Sequence, residues 1–284
     1  TEQFLQHKGM KFLKNKIHQI LSYITYFIRA KTIYGIDSPV LYAFFNSVLD
    51  DKREYYAFRR INQLRSALKT NFTRIKRTDF GTGKNEHTTT VSNIYNTSAS
   101  SKLKGELLFR LVKWFKPKEI IELGTNLGIS TAYLASVHTK TMVNTIEADP
   151  LLSQIAEENL HDLQLTSVRI INGTFENELT RLLSLHPDTN FFFIDGNHAF
   201  DPTLAYTRAI LCQQQTNFLI IYDDIYWSTE MTKAWNELKN NKEFNFIIDI
   251  YHFGIVGHIP NLRKPIRKTL ISTKKKIWQM GFFR

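Results

Sequence analysis

Apolar residues recur at helical spacing near the start of the chain. Phe12, Leu13, Ile17, Ile20, Leu21, Ile24, Phe27 and Ile28 fall at steps of three and four, with Lys, Asn, His and Gln between them. That pattern predicts a helix over residues 11–31. Ser38-Pro39 reads as a cap and first helical residue for a second helix reaching Leu49, and a third is expected over 52–69. Residues 78–100 are rich in Gly, Thr, Ser and Asn and read as a long loop, the kind that serves as a lid or a binding loop. From about residue 101 the rhythm changes. Short apolar runs near 119–124, 142–148, 168–172, 190–195 and 218–223 alternate with amphipathic stretches, as strands and helices of an open parallel sheet do. "FNFIIDI" (244–250) and "FGIVGHI" (253–259) are too close for a crossover helix, so they should pair as an antiparallel hairpin.

The expected fold is therefore α/β: a Rossmann-like mixed sheet of seven strands, the last antiparallel, flanked by helices and preceded by a helical N-terminal extension. Its expected division is a helical cap region over 1–77, the loop or lid over 78–100, the main domain over 101–260 and a tail over 261–284. With 284 residues the chain can bury one sizeable core and a small second module. Met10 reads as a native start, which leaves residues 1–9 out of the fold reading.

Charge changes the picture. The net is +11, yet residues 261–284 hold eight Lys/Arg and no acid, and residues 1–36 hold six against Glu2. Taking those ends away leaves about −2 for residues 37–260, so the basicity is terminal. Nucleic-acid enzymes carry positive charge around the cleft, and no nucleic-acid partner is expected here. Cys212 is the single cysteine, which excludes a disulfide framework and a Cys/His zinc site. With no apolar run long enough to span a bilayer and no signal-peptide pattern, a cytoplasmic setting is expected.

The stretch "IIELGTNLGISTAYLA" (120–135) carries the first functional signal. A strand ends in Glu122, passes through Gly124 and Gly128, and becomes a helix at Ser130. In an open α/β sheet, ligands bind at the carboxyl ends of the strands, and glycine there lets the backbone approach a ligand and turn sharply. Dinucleotide sites use G-x-G-x-x-G to seat a pyrophosphate. Here Gly124-Thr125-Asn126-Leu127-Gly128 is G-x-x-x-G, with no pyrophosphate fingerprint. Glu147 closes the next strand in "TIEADP", placed to bond ribose hydroxyls. A ribose-gripping acid without diphosphate provision points to a nucleoside lacking phosphates, and S-adenosyl-L-methionine fits.

At these residues the sequence resembles the class I S-adenosylmethionine-dependent methyltransferases, and within them the catechol and caffeoyl-coenzyme A type O-methyltransferases and their bacterial relatives. The resemblance runs from about Ser101 to Ile259. "ELGTNLGIST" is similar to the motif that lies against the methionine part of the cofactor, which implies roles for Glu122, Gly124, Asn126, Gly128 and Ser130. "TIEADP" matches the ribose motif through Glu147, and "NGTFE" (172–176) sits at an adenine-side turn, which implies Thr174 and Phe175.

A second constellation follows. "FFFIDGNHAFD" puts Asp195 at one strand tip with His198 three residues on, and "LIIYDDIYW" puts Asp223 and Asp224 at the neighbouring tip. Three converging carboxylates suit Mg²⁺, or Ca²⁺ or Mn²⁺, rather than zinc. The resemblance implies a metal-binding Asp at Asp195 and an Asp-Asn pair at Asp223-Asp224; the second Asp departs from that pattern. Such a metal would acidify an acceptor hydroxyl. His198 falls where the resemblance implies a Lys general base, and imidazole can take that proton; Asn197 would assist. The alternative reading of Asp195 is a turn cap, that of Asp223-Asp224 a cap for a helix near Ser228, and that of His198 a structural hydrogen-bonder.

"DFGTGK" (79–84) lacks the features of a phosphate loop and resembles a segment that folds over cofactor or substrate in some bacterial enzymes of this type; a flexible linker is the alternative. Tyr226 and Trp227 could wall a substrate pocket or belong to the core. The tail, with Trp278, Phe282 and Phe283 among its basic residues, has the composition of an interfacial membrane segment or of a solvated basic end. The expected function is methyl transfer from S-adenosylmethionine to a small hydroxylated acceptor, assisted by a divalent metal. The alternatives are a metal-independent methyltransferase acting on a sugar or amine, and a non-catalytic, membrane-associated cofactor binder. Expected partners are the acceptor, a second copy of the chain, and an anionic membrane touched peripherally through the tail.

Overall fold

The computed structural model describes residues 2–79, 85–214 and 216–276. It opens with a 28-residue helix α1 (Glu2–Arg29), followed by α2 (Pro39–Phe44) and α3 (Tyr56–Lys69). Two short strands, β1 (Arg74–Asp79) and β2 (Asn85–Thr90), lead into α4 (Val91–Ser98) and α5 (Lys102–Phe115). The alternating part runs β3 (Glu119–Leu123), α6 (Ile129–Ala135), β4 (Met142–Glu147), α7 (Pro150–Asp162), β5 (Val168–Asn172), α8 (Phe175–Leu185), β6 (Thr189–Ile194), α9 (Phe200–Leu211), β7 (Phe218–Asp223) and α10 (Thr229–Asn240). It ends with β8 (Phe246–Asp249), β9 (Phe253–His258) and β10 (Ile266–Thr269). The central sheet has eight strands, one more than the seven expected, with helices flanking it in the Rossmann-like manner.

The chain divides into two compact units, residues 43–196 and residues 1–42 with 197–284. In the first, β6, β3, β4 and β5 lie side by side in that order and all run parallel. The centres of β3, β4 and β6 are almost wholly buried, which is why "IIEL" and "FFFI" read as unbroken apolar runs rather than alternating ones, while the edge strand β5 is only partly covered. Phe58, Ile61, Phe109, Ile129, Tyr133 and Leu152 fill the core that α3, α5, α6 and α7 share. Local capping fixes where these helices start. Ser101 accepts the Lys104 N–H for α5, and Asp149, with Pro150 after it, accepts the Leu151 N–H for α7.

In the second unit β9 lies between β7 and β8 and runs antiparallel to both, as the hairpin reading requires. Here α10 starts where the Ser228 Oγ accepts the Met231 N–H. The extra strand is β10, parallel to β8 in the register Ile266↔Phe246 to Thr269↔Asp249. It arises from a segment expected to be tail. Buried Ile266, Leu270 and Ile271 frame the basic Arg267 and Lys268, so composition alone hid a strand. The remainder of the expected tail, beyond residue 276, lies outside the described residues.

Two further expectations change. Residues 78–100 are not a loop throughout: β2 pairs antiparallel with β1 from Arg74↔Thr90 to Asp79↔Asn85, and α4 follows directly. Thr88, Thr89 and Thr90 suit a strand through their branched Cβ, and Thr90 then caps α4 by accepting the Asn93 N–H. Most of the proposed lid motif, residues 80–84, lies outside the described residues. The second helix stops its α geometry at Phe44 and passes through a π-helical turn over Phe45–Leu49.

Candidate active site

The glycine loop after β3 is built around one close approach. Gly124 sits at φ 109, and a Cβ there would stand 2.1 Å from the Asp195 backbone oxygen. No side chain can occupy that position. The Asp195 N–H in turn donates to the Leu123 oxygen at 2.9 Å, so the tips of β3 and β6 are locked together. The loop is anchored to β4 as well, through the Gly124 and Thr125 N–H groups to the Ile146 oxygen at 3.1 and 3.3 Å. Gly128 begins α6 at φ 77, again a conformation that suits glycine.

Glu147, the last residue of β4, faces this loop. One carboxylate oxygen accepts the Asn126 N–H at 2.8 Å and the other accepts the Asp149 N–H at 3.0 Å. Asn126 reaches that position in the left-handed region, at φ 51. Burial raises the Glu147 pKa, and the two backbone hydrogen bonds oppose the rise. A carboxylate has about four lone-pair directions, so two N–H bonds leave capacity for a diol.

Glu122 occupies a different place from the one its motif implies. It is fully buried, and its Oε2 accepts the hydroxyls of Thr131 at 2.5 Å and Thr145 at 2.7 Å. Desolvation pushes its pKa up to about 7, against the hydrogen bonds that favour the ionised form. Glu122 thus positions the loop from beneath, joining β3 to α6 and β4, rather than meeting a ligand.

Around the loop lies a small pocket whose lining includes Ser98, Ser100, Asn126, Ser130 and Asp195. The Ser100 hydroxyl points to Asp195 Oδ2 at 3.4 Å, and the Asn126 side-chain amide donates to the Ser98 oxygen at 3.3 Å. Ser98 and Ser100 were not singled out from sequence. They sit in a stretch read as loop, and only the turn after α4 brings them to the β3 tip. On the other side Gly173 N–H donates to the Glu147 oxygen at 2.9 Å, which sets Thr174 and Phe175 beside β4. The Phe175 ring lies against Gly196, 2.6 Å from where a Cβ would be.

In the unit of residues 197–284, His198 is half-buried beside Asn197, which sits at φ 48 and donates to the Tyr206 hydroxyl at 3.4 Å. Asp223 is buried at the end of β7, and Asp224 leaves the strand at φ 51 with its N–H on the His252 oxygen. The cap of α10 is Ser228, not either acid. Tyr226, a candidate pocket wall, gives its hydroxyl to the buried Asp249 and stacks on Tyr251, while Trp227 is half exposed.

Among the described residues, no group of three or more His, Cys, Asp or Glu is placed to hold a metal ion.

Residues 121–225, from β3 to just past β7, match a family model described as a methyltransferase domain. Over these residues the chain is similar to a methyltransferase domain. No curated protein matches it. Among solved structures, it is similar to the methyltransferase PaMTH1 of Podospora anserina bound to SAH, with a TM-score of 0.54 and 18% identity over 77% of this chain and 92% of that one. It is also similar to the O-methyltransferase of Bacillus cereus in complex with SAH, at a TM-score of 0.52 and 17% identity over 72% and 91% of the two chains. At such identities these likenesses establish the fold alone.

Proposed function

We propose that the protein transfers a methyl group from S-adenosylmethionine to a hydroxyl oxygen of a small acceptor. The observation that carries the reading is the cradle at the β3 and β4 tips. Glu147 is held by two backbone N–H groups, and the loop beside it lacks both a side chain at Gly124 and a pyrophosphate motif. That combination suits a nucleoside whose ribose is gripped and whose other end runs along bare backbone. The methyltransferase family match and the methyltransferase fold neighbours support the same class of reaction.

When bound, S-adenosylmethionine supplies an electrophilic methyl on a sulfonium, with a neutral thioether as leaving group. Glu147 accepts the ribose hydroxyls, and the Gly124–Asn126 backbone bounds the methionine portion. Thr174 and Phe175 border the adenine side, and Asp195 borders the reacting end. His198 would accept the proton that the acceptor hydroxyl gives up.

The test is transfer of labelled methyl from S-adenosylmethionine to a panel of small hydroxylated compounds, with amines and sugars alongside. Labelled methyl ethers that disappear with Glu147→Ala support the reading. Label found on amines alone would move the acceptor class, and no label on any acceptor would leave a cofactor binder.

A further inference from the structure

The first helix is built inside out. Its inward positions are Asn15, His18, Gln19, Ser22, Tyr26 and Ala30, at steps of three and four. Most of these are polar, and they hold the helix by hydrogen bonds rather than by apolar packing. His18 Nε2 meets the Thr232 hydroxyl at 2.8 Å, and the Gln19 amide donates to the Trp227 oxygen at 3.0 Å. The Tyr26 hydroxyl donates to the Leu270 oxygen at 2.6 Å.

The opposite side is apolar and open. Leu13, Ile17, Ile20, Leu21, Ile24 and Ile28 are between 49% and 73% exposed. At 100° per residue they form one stripe, and it extends about 22 Å along the axis. Six large aliphatic side chains in one stripe make a patch of the kind that soluble surfaces ordinarily cover.

Charge decides what covers it. The sequence holds no Asp or Glu between Gln3 and Ile36. Lys14 and Lys16 are exposed and flank the stripe on either side. At the far end of the helix, the Lys276 ammonium donates to the Ala30 oxygen at 2.7 Å, which ties the turn bearing exposed Lys274 and Lys275 to the helix terminus. A second copy docking on the stripe about a two-fold axis would set lysine against lysine, with no acid from Gln3 to the end of the helix to answer. A bilayer carrying anionic headgroups answers both features at once.

We infer that the outward face of α1 is a membrane-binding face, lying in the interface of an anionic bilayer with its aliphatic stripe inserted and its lysines at the headgroups. No helix among the described residues is long and apolar enough to cross a membrane, so the contact is with one surface only. The inference stands apart from the methyl-transfer reading, because none of these residues belongs to that site.

Cosedimentation of the intact protein with phosphatidylcholine vesicles, with and without phosphatidylserine, tests it. Binding is expected with phosphatidylserine, weakening as salt is raised. Ile17→Asp combined with Ile24→Asp should lower the partition by at least roughly tenfold while circular dichroism and cofactor binding stay unchanged. Lys14→Gln and Lys16→Gln should each lower it by up to about fivefold. No binding to either vesicle, or full binding by the double aspartate variant, would overturn the inference. So would a wild-type dimer that the aspartates dissociate, since a second copy would then be the occupant.

Discussion

The Asp195 backbone oxygen stands 2.1 Å from where Gly124 would carry a Cβ. That contact ties the β3 tip, with its cofactor loop, to the tip of β6. Gly124→Ala therefore cannot be accommodated without moving one tip, and its φ of 109 adds strain for any L side chain. A loss on the order of 2–4 kcal/mol of stability is expected. Urea unfolding of the variant checks this, and a midpoint equal to wild type would show that the loop yields.

Most of the sheet could be read from the sequence because its strands are buried on both faces. "EIIEL", "TNFFFI" and "FLIIYD" stand out as apolar runs between turns. What was missed lacks that signature. "RIKRTD" and "NEHTTT" are polar strands of a two-stranded hairpin, and hydrophobic periodicity does not see them. "IRKT" hid among basic residues. At the site, the motif reading singles out Glu147 and Gly124, whose backbone contacts follow from local chain geometry. The motif alone does not show that Glu122 is buried against Thr131 and Thr145, because those contacts come from across the fold. The metal set of Asp195, Asp223 and Asp224 rests on strand order and on the family resemblance, and neither fixes side-chain direction.

Glu122 makes stability depend on pH. Its pKa is pushed from 4.5 to about 7 in the folded protein, so the folded state holds its proton more tightly than the unfolded chain does. That contribution is fully present below about pH 4.5 and is lost as pH rises through about 7, amounting to on the order of 3 kcal/mol. Glu122→Gln removes the titration while keeping an acceptor for the threonine hydroxyls. Between about pH 5 and about pH 8 the variant should lose less stability than wild type by denaturant unfolding. Equal losses would mean that Glu122 ionises normally.

Methyl transfer measured with and without excess chelator tests whether a divalent metal takes part. His198→Gln should lower kcat by on the order of a hundredfold, as loss of a general base does, and leave cofactor affinity intact. Activity abolished by chelator and restored by Mg²⁺ would support a metal that acidifies the acceptor hydroxyl, full activity in chelator would exclude it, and an unchanged His198→Gln enzyme would remove the histidine from the chemistry.

The most direct measurement is isothermal titration of the protein with S-adenosylmethionine, with NAD as the competitor class. Glu147 lies at the centre of the proposed nucleoside site, each of its oxygens already oriented by a backbone N–H. Wild type should bind S-adenosylmethionine and not NAD. Glu147→Ala should weaken that binding by about 1.5–3 kcal/mol, the cost of losing hydrogen bonds to a charged acceptor. Preference for NAD, or undiminished S-adenosylmethionine binding by Glu147→Ala, would contradict the assignment of the cradle.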